Sequence, residues 1–401
     1  MTPRLKFFHS AVLILGATAA TGCGPAKSLD SQPKLTFQPS NVSLAAHDLS
    51  NLGDVSVSSD CNLSTDPGVA ISCLKSPSGD PVDWVALQPD GSRVRVVVVG
   101  SLNVDQTAKL TISGGLPLVL VAMKDMTVGG KIVASAALGT AGPGGFSQNV
   151  SFLVGNGPGG GPAPIKDAGP VFGLGHVPGI SAGGGSHCGL GGTGSAEVGD
   201  VTAAIPAATP GYGAEDLRPL LGGSSGGAGV FGNSGAGGGA VQLVAGGTFT
   251  LGTYGTINVG GGGGEGGGEL NAEQEASGAG SGGSALVEAH AVKLLGTIAA
   301  NGGGGGGQDG RGNNANDSLL SAAGGSDNGM SNGGAGSAGA GANGVAGLQS
   351  GYGHAGGGGG GAGRIRINSS SGSANLDGAL TPALSTGCAT QGRVLAIGTV
   401  N

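Results

Sequence analysis

Residues whose types and spacing could support chemistry are few in this chain. His187 and Cys188 are adjacent, and both side chains are common metal ligands. Neighbouring side chains on an extended chain point to opposite sides, and no second cluster of His or Cys lies nearby in sequence. We therefore expect a disulfide or an inert loop here and no metal. Residues 223–227 match a nucleophile elbow in letters only, because the strand before it and the helix after it are not indicated.

The acidic side chains are scattered. A glycan-processing enzyme needs two or three carboxylates that converge on one groove, or a calcium ion beside a basic residue. The acidic residues of interest fall in two glycine-rich stretches: Glu265, Glu269, Glu273 and Glu275, then Asp309, Asp317 and Asp327. We interpret them as solubilising charges on loops. Residues 304–311 resemble one calcium-binding repeat, but Arg311 stands where that repeat needs an apolar residue, so we expect no calcium there.

Two arginines form a further candidate site. Arg364 and Arg366 alternate with isoleucines, so both lie on one face of a predicted strand. They could form a small patch for an anionic glycan, or they could be solvated residues opposite a buried face. The sequence leaves both readings open.

The elements that must position these residues begin with an export signal over residues 1–22. Arg4 and Lys6 precede a short apolar stretch that starts at Ala11 and is too short to span a membrane. Residues 20–23, Ala-Thr-Gly-Cys, then resemble the lipobox of bacterial lipoproteins, with Ala20 where the family usually has leucine. This resemblance implies a lipid anchor on Cys23, and Gly24 after the cysteine implies delivery to the outer membrane. Residues 23–33 are predicted to be a flexible tether.

Four further cysteines remain in this exported chain. Cys61 and Cys73 flank a predicted hairpin whose turn is at residues 64–68, and we expect them to form a disulfide that stabilises the region by about 3 kcal/mol. Cys188 and Cys388 are a second possible pair, which spacing alone does not establish.

The composition bounds the class of protein. Glycine supplies 94 of 401 residues, whereas charged residues supply 10% and the net charge is −7. The slightly positive mean hydropathy and the alternating aliphatic residues favour strands over simple disorder. The absence of a basic stripe argues against nucleic acid as a partner.

A repeated anchor organises the strands. Leu110, Ile132, Ile257, Ile298 and Leu380 occupy equivalent places in short strand segments, and the first two lie about 22 residues apart, as in one coil of a β-solenoid. We therefore predict an all-β fold in which about five parallel β-solenoid, β-helix-like coils are interrupted by long glycine-rich loops. The predicted parts are a small β region over 34–92, first coils over 93–140, a Gly/Pro-rich insertion over 141–238, and further coils with a terminal strand over 239–401.

The pure glycine runs 260–264, 302–307 and 356–361 allow another interpretation. Such runs can form extended helices of the polyproline II type, with three residues per turn, that hydrogen-bond laterally through their backbones. This arrangement would explain the runs better than flexibility does.

The lipobox, the small cysteine-bearing region and the glycine-spaced segments that end in Gly-Arg-Ile-Arg-Ile at residues 363–367 resemble uncharacterised glycine-rich surface lipoproteins of Gram-negative bacteria. The resemblance implies an outer-membrane, lipid-anchored location. We expect a non-enzymatic protein without cofactor, with a structural or adhesive role and an envelope or extracellular glycan as a possible partner. The alternatives are a glycan-processing enzyme on a β-helix and a largely disordered surface spacer.

The lipid anchor predicts the behaviour of one variant. Cys23→Ala should lose acylation and move from the membrane fraction to the soluble fraction, because the acyl chains supply the attachment. Fractionation with metabolic palmitate labelling measures this, with Ser28→Ala in the tether as the matched control. Retention of Cys23→Ala in the membrane would show that the anchor is elsewhere.

Overall fold

A computed structural model of the protein describes residues 35–148, 153–165, 179–196, 204–229, 232–267, 275–307, 310–326, 332–349 and 355–394. All of them belong to the second of two units of the chain, Pro33–Asn401. The predicted signal peptide, Cys23 and the tether lie outside the described residues.

Sixteen strands of the described chain form two sheets. The ten-stranded sheet contains β1 (Val55–Val57), β3 (Val82–Leu87), β4 (Arg93–Val99), β5 (Leu102–Val104), β7 (Leu118–Ala122), β8 (Met126–Val128), β10 (Ala240–Leu251), β12 (Ser284–Leu294), β14 (Arg364–Leu376) and β16 (Ala389–Gly392). The six-stranded sheet contains β2 (Cys61–Ser64), β6 (Lys109–Ser113), β9 (Lys131–Val133), β11 (Thr256–Asn258), β13 (Thr297–Ala299) and β15 (Ala379–Thr381). A 3₁₀ turn, Leu384–Thr386, precedes β16.

Parallel pairing dominates both sheets, and the antiparallel pair β3–β4 is the exception among the described strands. Alternate side chains of β10, such as Val241 and Leu243, enter one apolar cluster together with Ile257 and Ile298 of the six-stranded sheet. The main core therefore lies between the two sheets. A second cluster covers the outer face of the ten-stranded sheet, where Phe37 and Leu217 pack on Val96.

The five sequence anchors have the predicted alignment. Leu110 pairs with Ile132, Ile132 with Ile257, Ile257 with Ile298, and Ile298 with Leu380. They are consecutive Cα partners across the six-stranded sheet, and each is buried. Residues that occupy equivalent places in the sequence repeat are therefore neighbours on adjacent strands of the sheet.

The predicted fold class is nevertheless wrong. The structure has two parallel sheets and not a stack of β-solenoid coils, since β7 and β8, which follow one another along the chain, both pair with the single long strand β10. The long glycine-rich stretches are not loops between coils. They form a third, hydrogen-bonded body that continues directly from the strands: residues 232–239 lead into β10, 275–283 into β12 and 355–363 into β14.

The predicted hairpin between Cys61 and Cys73 is also absent from the described structure. Cys61 lies in β2, which pairs in parallel with β6, and not with the residues that follow its own turn. The apolar side chains of β2, such as Leu63, are buried in the main core. The residues after β2 therefore do not return to pair with it.

Backbone hydrogen bonds in the glycine-rich body repeat every three residues. In segment 302–307 the N–H groups of Gly303 and Gly306 donate to Gly280 and Ser277, one neighbouring segment. Those of Gly304 and Gly307 donate to a second neighbour, at Asn313 and Gly310. Those of Gly302 and Gly305 donate to a third, at the Ser337 hydroxyl and the Gly334 carbonyl. This three-residue period is that of polyproline II helices packed side by side.

Segment 356–363 shows how complete the packing becomes. The N–H groups of residues 357–363 donate to the segments 300–306, 182–185 and 342–345, and that of Gly356 donates to the Ser195 hydroxyl. The carbonyls accept from 279–282, 334–337 and 188–195. The segment is thus surrounded on all sides by other backbones, and its residues are buried.

These contacts leave no room for a side chain. A Cβ on Gly360 would lie 1.9 Å from the Gly280 carbonyl oxygen, and one on Gly302 would lie 1.9 Å from the Gly360 oxygen. The edge segment 332–338 has half-buried side chains at every third residue, Asn332, Ala335 and Ala338, and one buried side chain, Ser337, whose hydroxyl accepts from the Gly302 N–H.

The close packing predicts an asymmetric effect of adding a methyl group. Gly360→Ala should lower the free energy of unfolding by roughly 3 kcal/mol, because the neighbouring backbones must move apart. Gly341→Ala is the matched control, since its nearest contact would be an ordinary 3.4 Å from the Ala338 oxygen. Urea unfolding followed by circular dichroism measures both. Equal stability of the two variants would contradict the packing described here.

Candidate functional site

Two edge segments of the glycine-rich body run side by side along one surface. The Gly344 N–H donates to the Leu190 carbonyl and the Gly347 N–H to the Thr193 carbonyl, each at 2.9 Å. Both partners advance by three residues in the same direction, so the segments 189–196 and 341–349 are parallel and in register. Their outer sides together form a straight two-stranded surface.

A groove of about 370 Å³ lies on this surface. Its side chains come from both segments and from one nearby residue: Thr193, Ala196, Ile205, Ala346, Leu348 and Gln349. Ile205 and Leu348 are 45% and 55% exposed. The groove therefore combines apolar walls with a hydroxyl and an amide, the usual composition of a ligand site.

The described residues that line the groove carry no charge. Residues 189–196, 204–205 and 332–349 contain no Asp, Glu, Lys, Arg or His, although the whole chain has a net charge of −7. The other exposed aliphatic residues here, Leu190 and Val345, extend the apolar character of the surface. We call residues 189–196, 204–205 and 332–349 the neutral face.

His187 lies in a separate, buried cluster. Its Nδ1 donates to the Gly282 carbonyl at 2.9 Å, its ring stacks on Tyr212 at 4.5 Å, and its Nε2 has no hydrogen-bond partner among the described residues. Burial lowers the pKa of His187 from 6.5 to about 4, with a smaller contribution from the nearby Arg364. The imidazole is therefore neutral at pH 7.

Tyr212 joins this cluster to the glycine-rich body. Its hydroxyl donates to the Gly222 carbonyl at 2.5 Å and accepts from the Ser224 hydroxyl at 3.0 Å. Burial raises the pKa of Tyr212. The arrangement holds residues 210–213 against the body and gives His187 a structural role.

The structure contains both disulfides considered from the sequence. Cys61 is bonded to Cys73, and Cys188 to Cys388, with Cα separations of 5.7 Å in each. The second bond joins the glycine-rich body to the turn before β16 across 200 residues. Cys188 is thus engaged beside His187, as a disulfide and not as a metal ligand.

The arginine patch does not form as an exposed surface. The Arg364 Nε donates to the Tyr212 carbonyl at 3.1 Å, and Arg366 donates to Asn368 and Thr390 at 2.8 and 3.0 Å. Glu215 lies 3.6 Å from Arg366. These contacts, together with the cover from residues 212–215, leave the Arg366 side chain only 17% exposed.

The described carboxylates form separate pairs. Glu265 contacts Arg311 at 3.0 Å and Asp317 contacts Lys131 at 2.7 Å. Within the described ranges there is no group of three or more His, Cys, Asp or Glu side chains placed to hold a metal. Glu275 is buried. Glu269, Glu273, Asp309 and Asp327 lie outside the described residues.

One buried carboxylate, Glu288, was not predicted from the sequence. Glu288 in β12 accepts from the backbone N–H and the hydroxyl of Ser40, from Gln242 at 2.7 Å and from Asn368 at 3.2 Å. It fixes the N-terminal segment 35–49 on the outer face of the ten-stranded sheet. The signal was available, because a glutamate inside the apolar run 285–289 requires buried partners.

Comparison with known proteins gives no relative. No protein-family model, no curated protein and no solved structure matches the chain. Among the described residues, none forms a helix of the length and hydrophobicity needed to cross a bilayer.

The buried His187 predicts acid sensitivity. Its pKa is lower in the folded protein than in the unfolded chain, so its contribution is complete above pH 6.5 and is lost as the pH falls towards 4. Between pH 7 and 4.5 the wild type should lose about 2–3 kcal/mol more unfolding free energy than His187→Gln, which has no imidazole to protonate. Urea titrations at the two pH values measure the difference.

The exposed His290 provides the matched control for this experiment. His290→Gln removes an imidazole in the same way and shows what the loss of an exposed histidine side chain alone does to the unfolding free energy. If His187→Gln loses as much stability as the wild type on acidification, other groups are responsible.

Proposed function

We propose that the protein is a non-enzymatic lipoprotein of the outer membrane, anchored through Cys23, with a structural or adhesive role at the cell surface. The observation that carries this proposal is the glycine-rich body, in which buried backbones bond to one another and the exposed side chains are confined to the edges. Such a body can hold exposed side chains in fixed positions at its edges, as a structural or adhesive surface requires.

The bonding pattern supports an ordered scaffold over a disordered spacer. In a spacer, glycine backbone groups would be solvated by water, whereas here the N–H groups of residues 302–307 donate within the protein. The two disulfides add support for export, because such bonds persist in oxidising compartments.

The neutral face supports adhesion as the role of the scaffold. A contiguous exposed apolar surface is unusual on a soluble protein and often marks an interaction site. Here Leu190, Val345 and Leu348 are 40–55% exposed on adjacent segments whose other residues are small or uncharged polar. Their positions on a rigid body let them contact a partner with little ordering cost.

A cellular experiment tests the proposal. Deleting the gene should reduce adhesion of cells to surfaces or weaken the envelope against detergent, and the wild-type gene should restore it. Cys23→Ala should fail to restore it, because the released protein cannot connect the surface to the cell. Ser28→Ala should restore it fully. A deletion strain with normal adhesion and normal detergent resistance would contradict the proposal.

A further inference from the structure

The groove of the neutral face has the features of a binding site, and we infer that it binds an uncharged, linear glycan lying along the segments 189–196 and 341–349. This inference rests on the proposed adhesive function and names its ligand class. Three properties of the groove support it: its shape, its chemistry and its lack of charge.

The shape fits a linear polymer. The two segments are parallel and in register, so Thr193 and Ala196 face Ala346 and Gln349 along the groove. Three residues of a polyproline II helix rise about 9 Å, so equivalent side chains recur at that spacing along the line. A straight groove with a repeat is suited to a ligand that also repeats.

The chemistry fits a sugar. Leu348, Ile205 and Ala346 offer apolar contact for the C–H faces of sugar rings. The Thr193 hydroxyl and the Gln349 amide offer hydrogen bonds to sugar hydroxyls. The N–H of Ala346 adds a donor, because the N–H groups of its neighbours Val345 and Gly347 bond to adjacent segments and its own bonds to no described residue.

The lack of charge selects among glycans. A carboxylated or sulfated chain would give up hydration of its anions in the groove and gain no cation in return, since the neutral face contains no Lys, Arg or His. An uncharged glycan has no such penalty. This assignment differs from the arginine patch, whose cations are engaged within the protein.

Ala346 and Leu348 permit a direct test, because both are exposed and their substitution leaves the core intact. The full-length protein in mild detergent is run in native gels that contain a neutral glycan (hydroxyethyl cellulose, glucomannan or laminarin) or an anionic one (alginate or polygalacturonate). We expect retardation by at least one of the neutral glycans and none by the anionic glycans. Ala346→Asp and Leu348→Asp should each weaken binding at least tenfold, with unchanged circular dichroism.

Leu320→Asp is the matched control, since Leu320 is 71% exposed and lies outside the groove. It should bind as the wild type does. The inference would be overturned if no neutral glycan retards the protein, if the anionic glycans retard it equally, or if the groove variants bind as tightly as the wild type. If the wild type forms a dimer, Leu348→Asp dissociates that dimer and no glycan binds, the groove is a self-association surface. That result would also overturn the inference.

The cellular experiment separates this inference from the proposed function. Cells with Leu348→Asp should lose adhesion as cells with Cys23→Ala do. Normal adhesion with Leu348→Asp and lost adhesion with Cys23→Ala would overturn the glycan site while the proposed function stands.

Discussion

Close approach of backbones is the constraint on which the structure depends. Polyproline II-type segments can bond laterally on all sides only where no Cβ stands between them, because a Cβ on Gly302 or Gly360 would lie 1.9 Å from a neighbouring carbonyl oxygen. Glycine lowers stability elsewhere through its backbone entropy. In this body the entropy is offset by hydrogen bonds that an alanine would prevent. The pure glycine runs 302–307 and 356–361 therefore lie where neighbours are most numerous, and the mixed segments lie at the edges.

The sheets make this arrangement possible by setting its register. A glycine segment has no side chain to define its own position along a neighbour, so a slip by three residues would preserve its bonds. Strands with a buried face cannot slip in this way. Because residues 275–283 continue into β12 and 355–363 into β14, the pairing of Ala285 with Ile365 fixes the two glycine segments as well. The disulfide Cys188–Cys388 and the cluster around His187 and Tyr212 add a second connection between body and sheet.

The sequence allowed the strands to be aligned but not the overall fold to be derived. Anchors such as Ile257 and Ile298 could be matched because each follows a turn glycine and is buried in a parallel ladder. The predicted β-solenoid fold was wrong because a 22-residue period does not reveal which strands share a sheet. The period also does not reveal that the glycine runs pack into a body of their own. The groove could not have been predicted, since Thr193 and Leu348 come from segments about 150 residues apart and are joined only by lateral bonding. The buried site of Glu288 could have been predicted, because an unpaired carboxylate in an apolar strand has a high free-energy cost of burial.

The edge of the glycine-rich body raises the same problem as the edge of a β-sheet, because its outermost backbones could accept further segments from other chains. Side chains solve it here. Where a segment faces solvent, every third residue can have a Cβ, and Leu190, Val345 and Leu348 occupy such positions. These side chains hold an added backbone beyond bonding distance, so growth of the array ends at them. The residues that end the array are necessarily outward-facing, regularly spaced and held on rigid backbones, and these are the properties that a binding surface for an extended ligand requires. The side chains that end the packing of the array, Leu190, Val345 and Leu348, are thus also the ones available to contact a ligand.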